Sequence, residues 1–250
     1  MRSLAAWLVV LALGVIANAA EADLLIKQAL AAEERLDSGE ALRLFQEADA
    51  AQPADAFILQ KIARQYSDLV IDQPTDDLKK RFAQTALDFA ERAVALKPDD
   101  AVNVLSLAVC HGKLAVYSDT ATKMRYSRLV KAEAERALAL DPDYAWAHHV
   151  LGRWHHEVAA LGATSTFFVR LLYGGLPPAS LAEAQQHLRR ATELEPGELN
   201  HWLELGFAYA AAGDRPAART AWRRGLAMPA HSKHDEPAKQ RAREAQAKLD

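Results

Sequence analysis

Small and apolar residues recur at spacings of three and four along almost the whole chain, and the pattern restarts at intervals. Four stretches share one ending: "FQEADAAQP" to Pro53, "AERAVALKP" to Pro98, "AERALALDP" to Pro142 and "LRRATELEP" to Pro196. "WRRGLAMP", ending at Pro229, is a looser fifth copy. The spacing is that of a helix with one buried stripe. Each helix stops at a proline, whose ring disfavours αR in the residue before it.

The helices that precede these endings are visible too. The last reads "WLELGFAY", with Trp202, Leu205, Gly206 and Tyr209. That is W-x2-L-G-x2-Y, and Ala218 and Trp222 follow at A-x3-F spacing, so the segment resembles a tetratricopeptide repeat. Ala41, Phe45, Ala48 and Pro53 match the second half of the same motif. "DSGEA" and "AAGDRPAA" place glycine turns between paired helices. The pattern predicts an all-α fold, a tetratricopeptide-repeat-like α-solenoid of about five helix pairs. The pairs fall at 22–53, 56–98, 101–142, 145–196 and 199–229, within one domain over 20–250. A helix at 236–249 is expected to cap the stack with a polar outer face.

The register stretches in the middle. The second and third repeats run about ten residues long, between Tyr66 and Ala86 and between His111 and Val130. The fourth carries about 20 extra residues, "GATSTFFVRLLYGGLPPAS". Phe167, Phe168, Leu171, Leu172 and Tyr173 suit a short helix ending at Gly174-Gly175. That helix has three readings: extra core on the fourth pair, a lid on a groove, or a helix that touches a membrane.

Composition agrees with helices. Alanine dominates, aromatics are 7% of the chain, and the net charge of −3 gives no reason to expect general nucleic-acid binding. The N-terminus reads as an export signal over 1–19: Arg2, an apolar run from Leu4 to Ala17, then Ala17-Asn18-Ala19 as a small-x-small cleavage site. The run is shorter than the roughly 20 residues of a membrane span. The expected location is the bacterial periplasm, with an uncleaved anchor over 4–17 as the alternative. Cys110 is the only cysteine, so packing rather than an internal disulfide must stabilise the fold.

Residues 148–158, "HHVLGRWHHEV", hold His148, His149, His155 and His156. Aligning Gly152 with Gly206 puts His148 and His155 at the packing positions of Trp202 and Tyr209, and Gly152 where the second helix approaches, near Ala184. The remaining positions map to the concave groove of such arrays. Candidate groove residues are Trp146, His149, Arg153 and His156, together with Leu105, Val109 and Lys113 from the third repeat and Leu203 and Phe207 from the fifth. Val102 and Asn200 share that face, as do Phe57, Gln60, Arg64 and Asp68 in the second repeat. A metal site is not expected, because the i, i+7 histidine pairs lie about 10.5 Å apart along the helix axis. "HSKHDEP" is read as a helix start with Asp235 as its cap. No nucleophile elbow, phosphate loop or dinucleotide fingerprint occurs, so neither an enzyme nor a cofactor is expected.

Three segments in order carry a more specific resemblance: "LAVCHGKLAVYSDTATKMRYSRLVKAEAERALALDPDYAWAHHVLGRWHHEV", "LLYGGLPPASLAEAQQHLRRATELEP" and "MPAHSKHDEPAKQRAREAQAKL". Over about 102–249 the chain resembles the regulator of microtubule dynamics family, with a similar loop, an H-x-L-G-x-W opening and an apolar insert. The resemblance implies an all-helical repeat domain used for binding rather than catalysis. Eukaryotic members are associated with microtubules and with endoplasmic reticulum–mitochondria contacts, where one repeat domain binds and transfers phospholipids. An exported chain meets no microtubules, so that activity is not expected here. The leading expectation is a scaffold whose groove binds a protein or peptide partner in the cell envelope. The alternatives are a phospholipid-binding or transfer module using an apolar groove beside basic groups, and a metal-dependent enzyme built on the histidines.

Overall fold

The computed structural model describes the backbone of residues 2–249 and the side chains of 18–162, 165–166 and 170–249. The cleavage site's Ala17, the apolar run 4–17, and the side chains of Phe167 and Phe168 lie outside the described residues. Every regular element among the described residues is helical. The chain divides after Pro98 into two compact units, where the sequence pattern suggested one domain. Lys97-Pro98 ends one helix and Asp100 caps the next, so the boundary falls between two well-terminated helices.

The first unit contains α1 (Arg2–Glu34), α2 (Ser38–Ala51), α3 (Ala56–Leu69) and α4 (Asp76–Leu96). Asp37, Asp55 and Thr75 cap α2, α3 and α4 through their side-chain oxygens. Ala29, Ala32, Ala41 and Ala48 let α1 and α2 approach closely around Leu44 and Phe45, and Ile58 and Ile62 of α3 complete the core. Lys61 reaches across to Glu33 at 2.6 Å, and Gln65 donates to the same carboxylate. The extra residues of this repeat become a 3-10 turn at Val70–Asp72 and a longer α4, whose Phe82 and Phe89 flank Tyr66.

The second unit contains α5 (Ala101–Val116), α6 (Thr120–Leu140), α7 (Ala145–Ala159), α8 (Gly162–Tyr173), α9 (Leu181–Leu194), α10 (Leu199–Ala211), α11 (Arg215–Ala227) and α12 (Asp235–Ala247). The pairs are α5/α6, α7/α9 and α10/α11, with α8 as the insert and α12 against the last pair. Two glycines set how closely the helices pair. A Cβ on Gly152 would lie 2.7 Å from Leu188 Cγ and 3.1 Å from the Ala184 carbonyl, and one on Gly206 would lie 2.3 Å from the Trp222 ring. Those glycines cost roughly 1 kcal/mol each in helix propensity against alanine, which the closer packing offsets. Trp222 is fully buried and donates its Nε1–H to the Leu203 carbonyl at 3.1 Å.

Asp235 corrects an expectation. It is the first residue of α12 rather than its cap, and it is buried. Its carboxylate accepts from the His231 and Ser232 backbone N–H groups, the Ser232 hydroxyl and the Asn200 amide, so it closes the 231–235 turn onto α10.

Candidate functional site

The site is built outward from α7, whose successive side chains serve two different seams. On one side His148 takes the role that Trp202 takes in the next repeat. His148 Nε2 lies 3.0 Å from the Pro142 carbonyl, and Trp202 Nε1–H donates to the Pro196 carbonyl at 3.0 Å. A carbonyl only accepts, so His148 carries its proton on Nε2. Its Nδ1 shares one proton with His187 Nδ1 of α9, at 2.9 Å. His155 stacks on the same His187 at 5.9 Å, with its Nδ1 3.3 Å from Glu183 Oε2. Burial, with His148 and His155 alongside, holds the His187 pKa down to about 4.

On the other side His149 meets His201 of α10, Nδ1 to Nδ1 at 3.0 Å. Trp146 completes a triangle of rings whose centroids are 4.8 to 5.0 Å apart. One imidazole must donate and the other accept, so the two Nδ1 atoms share a single proton. Burial pushes His149 down to about 3 and His201 down to about 2. Glu195 stands 3.6 Å from His201 Nε2, too far for a hydrogen bond.

The nine candidate groove residues separate by burial. Leu105, His149 and Leu203 share one register position on α5, α7 and α10, and all three are buried. This corrects their assignment to the groove. His201 of the next first helix covers His149, and Leu203 clusters with Trp222 of α11 and Ala242 of α12, so both are packed in the fold rather than facing a ligand. Val109 and Arg153 are exposed, and Lys113, Trp146, His156 and Phe207 are half-buried. Arg153 Nε donates to Glu157 at 2.7 Å. Phe207 lies under the Arg241 guanidinium of α12, at 4.5 Å, and Arg241 also pairs with the buried Glu204. α12 therefore screens the α10 part of this face and leaves the α5 and α7 part open.

His187, His201, Glu204 and Arg241 were not singled out from the sequence. The available signal was a histidine on each neighbouring helix, but partnership across helices depends on packing that helical spacing alone does not give. Among the described residues no group of three or more His, Cys, Asp or Glu side chains is arranged to hold a metal ion. His148 and His155 of α7 both meet His187 of α9, and His149 meets His201 of α10, so these histidines join helices.

The model of the regulator of microtubule dynamics protein 1-3 family matches residues 19–250. The chain is 24% identical over 202 residues to regulator of microtubule dynamics protein 1 of Mus musculus, covering 80% of this chain and 66% of that one. It is 31% identical over 139 residues to regulator of microtubule dynamics protein 3 of Xenopus laevis, covering 56% and 30%. The chain thus spans about two thirds or less of the length of these curated relatives. Among solved structures it is similar to a thermophilic TPR protein of Thermus thermophilus, with a TM-score of 0.65 at 19% identity over 90% of this chain and 99% of that one. At that identity the likeness speaks to the fold alone.

Proposed function

The chain belongs to the regulator of microtubule dynamics protein 1-3 family, and we propose that it is a non-catalytic scaffold that binds a peptide segment of a partner protein on the open α5–α7 face. One observation carries the reading. Val102 and Val109 stand exposed at 44% and 38% on α5, beside Trp146, Arg153 and His156 of α7, while Leu105 and His149 between them are buried. Exposed valines on a firmly packed base beside cationic and imidazole groups suit an extended segment with apolar and acidic side chains. Leu171 and Leu172 of α8 are exposed too, so they do not roof this face. An open face fits a peptide better than it fits acyl chains, which need enclosure. Placement of the partner in the cell envelope rests on the reading of residues 1–19 as an export signal.

Peptides displayed on phage and selected on the full chain test this. Enriched sequences are expected to combine apolar and acidic residues and to bind saturably in fluorescence anisotropy. Val109→Asp and Arg153→Glu are each expected to weaken binding about tenfold with the helical circular dichroism unchanged. Failure to select any saturable peptide, with phospholipid found in native mass spectra of the purified protein, would replace this reading with the lipid-carrier one.

A further inference from the structure

α8 is unlike every other helix of the second unit. It is set off by Gly162 at φ 74° and ended by Gly174 and Gly175 at φ 76° and 81°, conformations that side chains other than glycine rarely adopt. Its far end is pinned: the Arg128 guanidinium of α6 donates to the Tyr173 and Gly175 carbonyls, with Nε 3.0 Å from the latter. Leu171 and Leu172 are consecutive and are 65% and 63% exposed. Ser165, Thr166 and Arg170 are exposed as well, and at about 3.6 residues per turn these five positions go all the way round the helix. Consecutive leucines exposed on such a helix suit a fluid interface that can take up both.

Charge points to the same occupant. Between Glu157 and Glu183 the only charged residue is Arg170. The half of α6 next to α8 carries Lys123, Arg125, Arg128 and Lys131 over residues 120–131, with no carboxylate, in a chain whose net charge is −3. Lys123, Arg125 and Arg170 are exposed. Asp119 just before this segment is engaged in capping α6. We propose that α8 and the basic half of α6 form a membrane-docking surface that seats Leu171 and Leu172 in the interface of an anionic phospholipid bilayer, with Lys123, Arg125 and Arg170 facing its headgroups. Its residues are distinct from those of the α5–α7 peptide face.

The test is flotation of the full chain with vesicles of phosphatidylcholine alone and of phosphatidylcholine mixed with phosphatidylserine. The chain is expected to float with the mixed vesicles, less so at high salt. Leu171→Ser/Leu172→Ser and Lys123→Glu/Arg125→Glu are each expected to bind about tenfold more weakly with unchanged helicity. Leu172→Trp is expected to shift its emission to the blue on adding mixed vesicles. Since every variant keeps residues 4–17, binding driven by that segment would survive the substitutions. Unchanged binding by Leu171→Ser/Leu172→Ser, an unshifted Leu172→Trp, or no flotation of the parent chain would each overturn the proposal. So would loss of selected-peptide binding in Leu171→Ser/Leu172→Ser, which would make α8 part of a protein-binding surface.

Discussion

The two units share a helix-pair architecture and differ in what fills the seams. In the first, α1, α2 and α3 meet through alanine, Leu44, Phe45, Ile58 and Ile62, with no histidine anywhere in residues 1–98. In the second, α7 joins α9 through His148 and His187, and joins α10 through His149 and His201. The first kind of seam depends mainly on volume and burial, with one polar network in which Lys61 and Gln65 of α3 share Glu33 of α1. The second also needs His149, His187 and His201 neutral and each Nδ1 matched to a donor or an acceptor. Buried polar pairs of this kind penalise slipped registers more than an apolar seam does, because a slip leaves them unmatched. They also make the seam sensitive to acid.

Acid is therefore expected to separate the units most strongly. His149, His187 and His201 sit at about 3, 4 and 2 in the fold against an ordinary value of 6.5. A lowered histidine pKa means that the unfolded chain binds the proton first. The contribution to stability is complete above pH 6.5 and falls as pH drops through the window between 6.5 and those folded values. Hydrogen exchange at pH 7 and pH 5 should show protection lost in α7, α9 and α10 while α2 and α3 hold. Replacing the pair as His149→Phe/His201→Leu should flatten that dependence. Equal acid loss in both units would remove the distinction.

Truncating the largest fully buried side chain among the described residues of each unit comes next. Phe45→Ala and Trp222→Ala remove fully buried rings and are each expected to cost about 3–5 kcal/mol. Each should lower exchange protection first in its own unit. A Trp222→Ala cost below about 1 kcal/mol would mean that the cavity collapses and that Gly206 does not depend on this ring.

The glycines sharpen the contrast at smaller scale. One register position is Ala63 on α3, Ala108 on α5, Gly152 on α7 and Gly206 on α10, and all four are buried. Alanine favours a helix over glycine by about 1 kcal/mol, so Gly→Ala would stabilise an open helix. At Gly152 and Gly206 the added Cβ meets Leu188 and the Trp222 ring, and Gly152→Ala and Gly206→Ala are expected to cost about 1–3 kcal/mol net in thermal or urea unfolding. Net stabilisation by either would show that the close helix approach is not required.

These details mark how far the sequence could be read. Proline-ended helices and the Trp-Leu-Gly-Tyr signature carried the helix pairs because both are local patterns with a fixed physical cause. Gly152 was legible for the same reason: a mid-helix glycine implies a close neighbour. Leu105, His149 and Leu203 were misplaced because helical spacing gives the side of a helix and not what lies over it. His201 and His187 are partners brought in from other helices. The exposure of Leu171 and Leu172 contradicts the plain expectation for apolar residues, so no periodicity could have shown it.

The smallest expected effect is a control on the whole comparison. Asp55 caps α3 in the first unit and Asp100 caps α5 in the second, with nearly the same backbone angles, φ −96° with ψ 117° and φ −96° with ψ 116°. Each carboxylate accepts from two backbone N–H groups, Phe57 and Ile58 in one case and Val102 and Asn103 in the other, at 2.8 to 3.2 Å. The cap motif and backbone angles match, though Asp55 also accepts from the Gln52 side chain at 3.1 Å, and Asp55→Ala and Asp100→Ala should each cost about 1 kcal/mol. Urea unfolding at pH 7 would measure both. If the units differ only in how their seams are filled, the two costs should agree within about 0.5 kcal/mol, the usual limit of additivity for separate sites. A larger gap would mean that the helices of one unit are less stable in themselves. The histidine seam would then be one symptom of that weakness rather than the source of the difference.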